Sequence, residues 1–291
     1  MHSLFSLVLE LQPVLKSAVP FKPWYGTASR ALLLHALQKY YSSQVSQLLH
    51  STQKPPAYTC SNLIPISPLP EIVSPSSRFL LRFTALNRVT TQALIELIKP
   101  NCPLYPGRIL SPLAGLKLRV TKNFIKSRQH PLGDLTCYES LLDEVQLFAD
   151  TLPDQISLVF TSPTFFKLTK TRAKSAEITP RLVFNSLFER WKTYTKDDLS
   201  ASVRELHKLW VLDHYEEYIQ AHVTIKTAEV KYLEVNGKKG SLGYVVFQSE
   251  FTNTPYWLFT HILARYAKFA GVGAETATGF GQCRRVEENM T

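Results

Sequence analysis

Two histidines, His35 and His50, lie in the stretch from Ala28 to Ser61, and the residue types around them suit proton transfer at a phosphate. Between Leu11 and Pro70 the chain has no Asp or Glu, yet Lys16, Lys22, Arg30, Lys39 and Lys54 all fall there. Hard metal cations are held by carboxylate oxygens, so this stretch alone builds no such site. Imidazoles among cations fit one reaction well: attack of an RNA 2′-hydroxyl on its neighbouring phosphate. It needs a base for the hydroxyl proton, an acid for the leaving 5′-oxygen, and positive charge near phosphorus. A histidine on a helix also serves as a plain polar surface residue, and the spacing of this pair does not decide between the two.

The elements that must carry these side chains follow from periodicity. At about 100° per residue, a helix over 26–41 puts Leu33, Ala36, Leu37 and Tyr40 on its buried side, with His35 opposite beside Ala28, Ala31 and Lys39. A second short helix, opened by Ser42 and Ser43, buries Val45, Leu48 and Leu49. His50 then falls near its C-terminal end, where the helix dipole favours a protonated ring.

The chain has 291 residues, 45% of them hydrophobic, enough for a full core and two modest domains. Residues 1–133 hold 15 Lys and Arg against 3 acids (Glu10, Glu71, Glu96), and residues 134–291 hold 18 against 20, so the net charge of +10 divides as +12 and −2. That asymmetry points to a polyanionic partner for the first half, nucleic acid ahead of a membrane surface. A basic composition serving solubility alone is the plainer account. Cys60, Cys102, Cys137 and Cys283 show neither CxxC nor paired spacing, which favours free thiols in a reducing cytoplasm over zinc or disulfides. A secretory signal is not expected with Glu10 and Pro13 where they are. No apolar run approaches the ~20 residues of a spanning helix.

Strands are expected at 3–11, 58–66, 78–87 and near 116–120, with helices at 26–41 and 90–98. The order β, α, β, β, α, β is that of a ferredoxin-like or RNA-recognition-type sandwich, an α+β fold. Lys117, Arg119, Lys122, Lys126 and Arg128 form an acid-free strip suited to tracking phosphates, or equally a solvated loop edge. The segment 127–134 marks the boundary between domains 1–130 and 131–291. In the second half, helices are expected from Tyr138 and Pro180, and an acid-free run holds Lys167, Lys170, Arg172 and Lys174. A hairpin over 223–251 places Lys238 and Lys239 at its tip. The last helix, from Pro255, gathers His261, Arg265 and Lys268 on one side and Phe259, Ile262, Leu263, Tyr266 and Phe269 on another.

That helix runs into Gly271, Gly273, Gly279 and Gly281. Glycine lets backbone N–H groups turn toward a phosphate. A dinucleotide fingerprint would need glycine at Thr276 and a strand before the loop, and no GK[ST] is present. A tight turn feeding a final strand explains the spacing equally well.

Four features in this order resemble the CRISPR-associated endoribonucleases of the sixth Cas family, within the repeat-associated mysterious protein superfamily. They are the N-terminal strand and helix leading through Leu49-His50 to Lys54-Pro55 and Tyr58-Thr59-Cys60-Ser61; Phe160 to Phe165 (FTSPTF); Pro180 to Trp191 (PRLVFNSLFERW); and the tail Gly271 to Gly281. The resemblance implies tandem ferredoxin-like domains and metal-independent, cofactor-free cleavage of CRISPR repeat transcripts, leaving a 2′,3′-cyclic phosphate and a 5′-hydroxyl. On it His35 is assigned as general base and His50 as general acid, with Lys54 and Arg30 stabilising the phosphate. RNA contacts are assigned to Lys39, the strip Lys117 to Arg128, Lys167, Lys170, Arg172, Lys174, Arg265, Lys268 and the four glycines. Repeat RNA, precursor and processed, is the implied partner; effector-complex subunits and a second copy of the chain are further candidates. A guide-RNA-holding subunit that does not cut, and a general single-strand RNA binder, share the same charge pattern.

Overall fold

A computed structural model describes residues 2–41, 55–67, 71–110, 113–147, 149–168, 174–195 and 213–286. The chain divides into two compact units: Met1–Thr136 with Thr276–Gly279, and Cys137–Glu275 with Phe280–Thr291.

In the first unit, β1 (Leu4–Pro13) alternates its side chains, and Phe5, Leu7, Leu9 and Leu11 enter the core. Their antiparallel partners on β3 (Phe79–Ala85) are Ala85, Phe83, Leu81 and Phe79, all buried. Helices α1 (Gly26–Tyr40) and α2 (Arg88–Leu97) supply Leu33, Leu37, Ala93, Leu94 and Leu97 to that same core. The side chain of Asn87 caps α2 by accepting from the Thr90 N–H. With β2 (Tyr58–Cys60) and β4 (Leu118–Phe124), the sheet runs β2-β3-β1-β4. The opposite face of the sheet, where Leu4 and Val8 are also buried, carries a polar patch: Arg82 Nε donates to Ser6 Oγ at 2.8 Å, and the hydroxyls of Thr59 and Thr84 meet at 2.7 Å.

The second unit repeats the topology. Helix α3 (Tyr138–Gln146) precedes β5 (Gln155–Thr164), α4 (Pro180–Thr195), α5 (Tyr215–His222), β6 (Val223–Val235), β7 (Lys238–Ser249), α6 (Pro255–Ala270) and β8 (Cys283–Val286). Its sheet runs β6-β7-β5-β8. In both units the second strand lies at one edge, followed by the third, first and fourth, with helices after the first and third: two tandem ferredoxin-like α+β folds. An aromatic cluster fills the second core, with Trp191 edge-on to Tyr138 at 4.9 Å and to Tyr266 at 5.3 Å. Thr254 caps α6 by accepting from the Trp257 N–H.

Three expectations need correction. Tyr40, placed on the buried side of α1, is 45% exposed, because the core contact of the helix is made by Leu32, Leu33, Leu34, Ala36 and Leu37 in the turns before it. The tip of the β6–β7 hairpin is Asn236-Gly237 alone, both at positive φ (52° and 69°), as a tight two-residue turn requires. Lys238 and Lys239 therefore open the return strand instead of forming the tip. His261 is fully buried and does not share a solvent face with Arg265 and Lys268, because α6 is buried on nearly every side.

Candidate functional site

Helix α1 carries His35 on an exposed position between the buried pairs Leu33–Leu34 and Ala36–Leu37. One turn on, Lys39 shares its face, with Nζ 5.3 Å from the Tyr40 ring centroid. These side chains line one wall of a cavity of about 450 Å³. The facing wall belongs to the loop after α2 and includes Asn101, Pro103, Gly107, Arg108 and Ile109. There is no Asp or Glu among the lining residues. Among the described residues no hydrogen-bond partner meets the His35 ring.

Arg30 is placed differently. It is absent from the cavity lining, and its Nε donates to the hydroxyl of Tyr58 at 3.0 Å. Burial raises the Tyr58 pKa, against the lowering pull of that guanidinium, so the phenol stays neutral and the Arg30 cation rests on it. His50, Lys54, Lys170 and Arg172 lie outside the described residues.

The N-terminus of α1 has no side-chain cap. The Tyr25 N–H that precedes it donates to Asn62 Oδ1 at 2.6 Å, and Trp24 Nε1 donates to the Thr278 carbonyl at 3.2 Å. Residues 276–279 of the glycine tail, which belong to the first unit, thus brace the helix that presents His35; Ser61 and Gly279 add a parallel bridge.

The basic strip divides by position. Lys117, Arg119, Lys126 and Arg128 are exposed, while Lys122 lies 3.6 Å from Glu10 on the neighbouring strand. In the second unit, Lys167 and Lys174 sit directly opposite each other on a two-residue ladder. Like charges so paired repel, and Lys174 Nζ lies over the Phe165 ring, 5.7 Å from its centroid. Arg265 is bridged to Glu144, and Lys268 lies over the Phe269 ring.

All four tail glycines have positive φ: Gly271 63°, Gly273 77°, Gly279 96° and Gly281 65°. Three of their N–H groups are used inside the protein. Gly271 donates to Ala267, Gly281 to the Pro163 carbonyl, and Gly273 to Ser186 Oγ at 2.8 Å. Two residues that sequence reasoning passed over hold this tail. Ser186 is one; buried Arg190 is the other, with Nη1 on the Ala270 carbonyl at 2.7 Å and Nη2 on the Gly273 carbonyl at 2.8 Å. A Cβ at Gly273 would stand 2.4 Å from the Phe165 carbonyl. Glu275 is bridged to Lys238 of β7, so its charge is compensated. The segments 160–165, 180–191 and 271–275 are therefore one interlocked assembly, which accounts for their joint appearance in the sequence.

The sequence pattern of the CRISPR-associated endoribonuclease Cas6 family matches residues 158–283, the region of that assembly. Among curated proteins none matches by sequence. Solved structures match along the whole length. A histidine-to-alanine mutant of Cas6 (TTHA0078) is 20% identical with a TM-score of 0.70, covering 99% of this chain and 100% of that one. Cas6 (TTHB231) of Thermus thermophilus is 19% identical with a TM-score of 0.66, covering 98% and 99%. A product complex of Cas6 (TTHB231) gives 18% and 0.71, again over 98% and 99%. The Cas6 family's sequence pattern thus lies in the second unit, and the fold of both units is that of solved Cas6 structures.

Proposed function

We propose that this protein binds CRISPR repeat transcripts and cuts them into guide RNAs at the cavity beside α1. The observation that carries this reading is the exposed His35, one turn from Lys39, facing a cavity whose lining holds cations and no carboxylate. The 2′-oxygen of the nucleotide before the cut bonds to phosphorus as the bond from phosphorus to the 5′-oxygen breaks. His35 takes the 2′-hydroxyl proton and His50 gives one to the 5′-oxygen, so the ends are a 2′,3′-cyclic phosphate and a 5′-hydroxyl. Lys54 and Lys39 offset the charge that builds on the phosphate. No step calls for a metal ion, in keeping with the absence of carboxylates between Leu11 and Pro70. Repeat RNA is the partner in both precursor and product form; similar solved structures include Cas6 product and substrate-mimic complexes and a partial Cas6-RT-Cas1–Cas2 complex.

The test is single-turnover cleavage of an end-labelled repeat RNA in the presence of chelator. A discrete cut is expected, abolished by a 2′-deoxy substitution at the scissile nucleotide with binding retained. His35→Ala is expected to slow the cut by about 10² to 10⁴. Full cleavage of the deoxy substrate, or loss of cleavage on chelation, overturns the chemistry. Tight binding without any cut would make the protein a guide-RNA holder.

A further inference from the structure

We infer that Arg108 is a phosphate-binding residue of the cleavage site, supplying from the facing wall the guanidinium that Arg30 does not bring there. The inference rests on the reading of the His35 cavity given above.

The loop that carries Arg108 is held at both ends and along its backbone. Leu104 and Leu110 are buried in the core of the first unit on either side of it. Gly107 N–H donates to the Val120 carbonyl at 2.7 Å, Val120 N–H to the Arg108 carbonyl at 2.9 Å, and Leu110 N–H to the Leu118 carbonyl at 2.8 Å. The loop thus lies as an added strand on the edge of β4. Gly107 turns into it with φ 90°, which a side-chain-bearing residue rarely adopts. What stays out of the core is the exposed pair Arg108–Ile109, both in the cavity wall.

The side chain is aimed as well as anchored. Arg108 Nη2 donates to Asn101 Oδ1 at 2.8 Å, and Asn101 itself sits in the left-handed region at φ 71°, on the same wall. One edge of the planar guanidinium is thereby fixed, and its remaining N–H groups meet no acid among the described residues. A fixed, unneutralised fork of donors matches the paired non-bridging oxygens of a phosphodiester. The next exposed cation along the β4 edge is Arg119, whose backbone pairs with Ile109 of the cavity wall. An RNA strand whose phosphates follow that strip arrives at His35 with one phosphate between Lys39 and Arg108. A guanidinium at that place acts on the charge that develops as the 2′-oxygen attacks, and so contributes more to rate than to binding.

The test compares four proteins, wild type, Arg108→Ala, Arg108→Lys and His35→Ala, in single-turnover cleavage of repeat RNA and in binding of the uncleavable 2′-deoxy RNA. Arg108 is exposed, so its removal leaves the core untouched. Expected for Arg108→Ala is a rate loss of about 10²-fold with affinity lowered by less than about tenfold. Arg108→Lys restores charge but not the fork, and recovers only part of the rate. Wild-type cleavage by Arg108→Ala, while His35→Ala is inactive, overturns the role of Arg108 and leaves the cavity as the site. Weaker binding in Arg108→Ala with the cleavage rate of bound RNA unchanged also overturns it, because that describes uniform binding. Wild-type cleavage by His35→Ala removes the cavity reading itself, and this inference with it.

Discussion

His261 is buried completely, edge-on to Trp257 at 5.0 Å, with Nε2 3.1 Å from the Pro153 carbonyl. A carbonyl only accepts, so Nε2 carries the proton and the ring is neutral with Nδ1 bare. Burial, reinforced by the cations of Arg285 and Arg265, holds the pKa of this ring down to about 3, with the Pro153 bond pulling the other way. In the unfolded chain an imidazole protonates near 6.5. Between these values the unfolded state binds the extra proton. Stability is therefore complete above about pH 6.5 and falls as pH drops toward 3, by at most about 1.4 kcal/mol per pH unit. The expected result is a urea midpoint that declines between pH 7 and pH 4.5 in the wild type and declines less in His261→Gln. Identical declines in the two proteins would clear His261 of the effect. Reading this residue from sequence failed for a physical reason: only Arg265 and Lys268 reach solvent from the middle of α6, and a helix buried on nearly all sides has no polar face to which the histidine could be assigned.

At the scale of elements, the placement of α1 decides whether His35 meets the cavity, and one glycine controls it. A Cβ on Gly26 would lie 1.9 Å from the Thr278 carbonyl oxygen and 2.8 Å from Trp24 Nε1. Neither neighbour can yield while the two are bonded to each other. Gly26→Ala is expected to push the start of the helix off the 276–279 turn, costing about 1–3 kcal/mol by overpacking. Cleavage should fall further than the loss of folded protein explains, since His35 moves with α1. Thermal unfolding and cleavage measured on the same preparation check this, and an alanine variant equal to wild type in both would show that the contact does not set the helix. The strands and helices themselves were legible: alternation in 3–11 and the i, i+3, i+4 pattern from Phe184 to Trp191 mark β1 and α4 because each buries one face. Gly26 was not, because its constraint comes from Thr278, far along the chain. Arg108 was half legible. It stands in the same acid-free stretch as Lys117 to Arg128, but only the pairing of its loop with β4 turns it toward His35.

Across the whole molecule, the excess of positive charge sits in the first unit and is presented rather than neutralised. Of its strip, Lys122 has Glu10 within 3.6 Å, whereas Lys117, Arg119 and Lys126 are exposed, with no acid bridged to them among the described residues. The β6–β7 hairpin of the second unit also exposes lysines, Lys226, Lys231 and Lys239, but they alternate with Glu229 and Glu234, and Lys239 lies over the Tyr232 ring at 4.6 Å. A phosphate chain releases counterions only to cations that are not already compensated, and for single strands each contact contributes about 0.7 to the slope of log affinity against log salt. Neutralising Lys117, Arg119 and Lys126 together should therefore flatten that slope by about 2. The matching triple change in the hairpin should flatten it by less than about 1. Fluorescence anisotropy of labelled repeat RNA over a salt series gives both slopes. Equal flattening by the two triples would mean that RNA senses total charge and not the exposed strip, and the path by which a strand reaches His35 along β4 would then have to be abandoned.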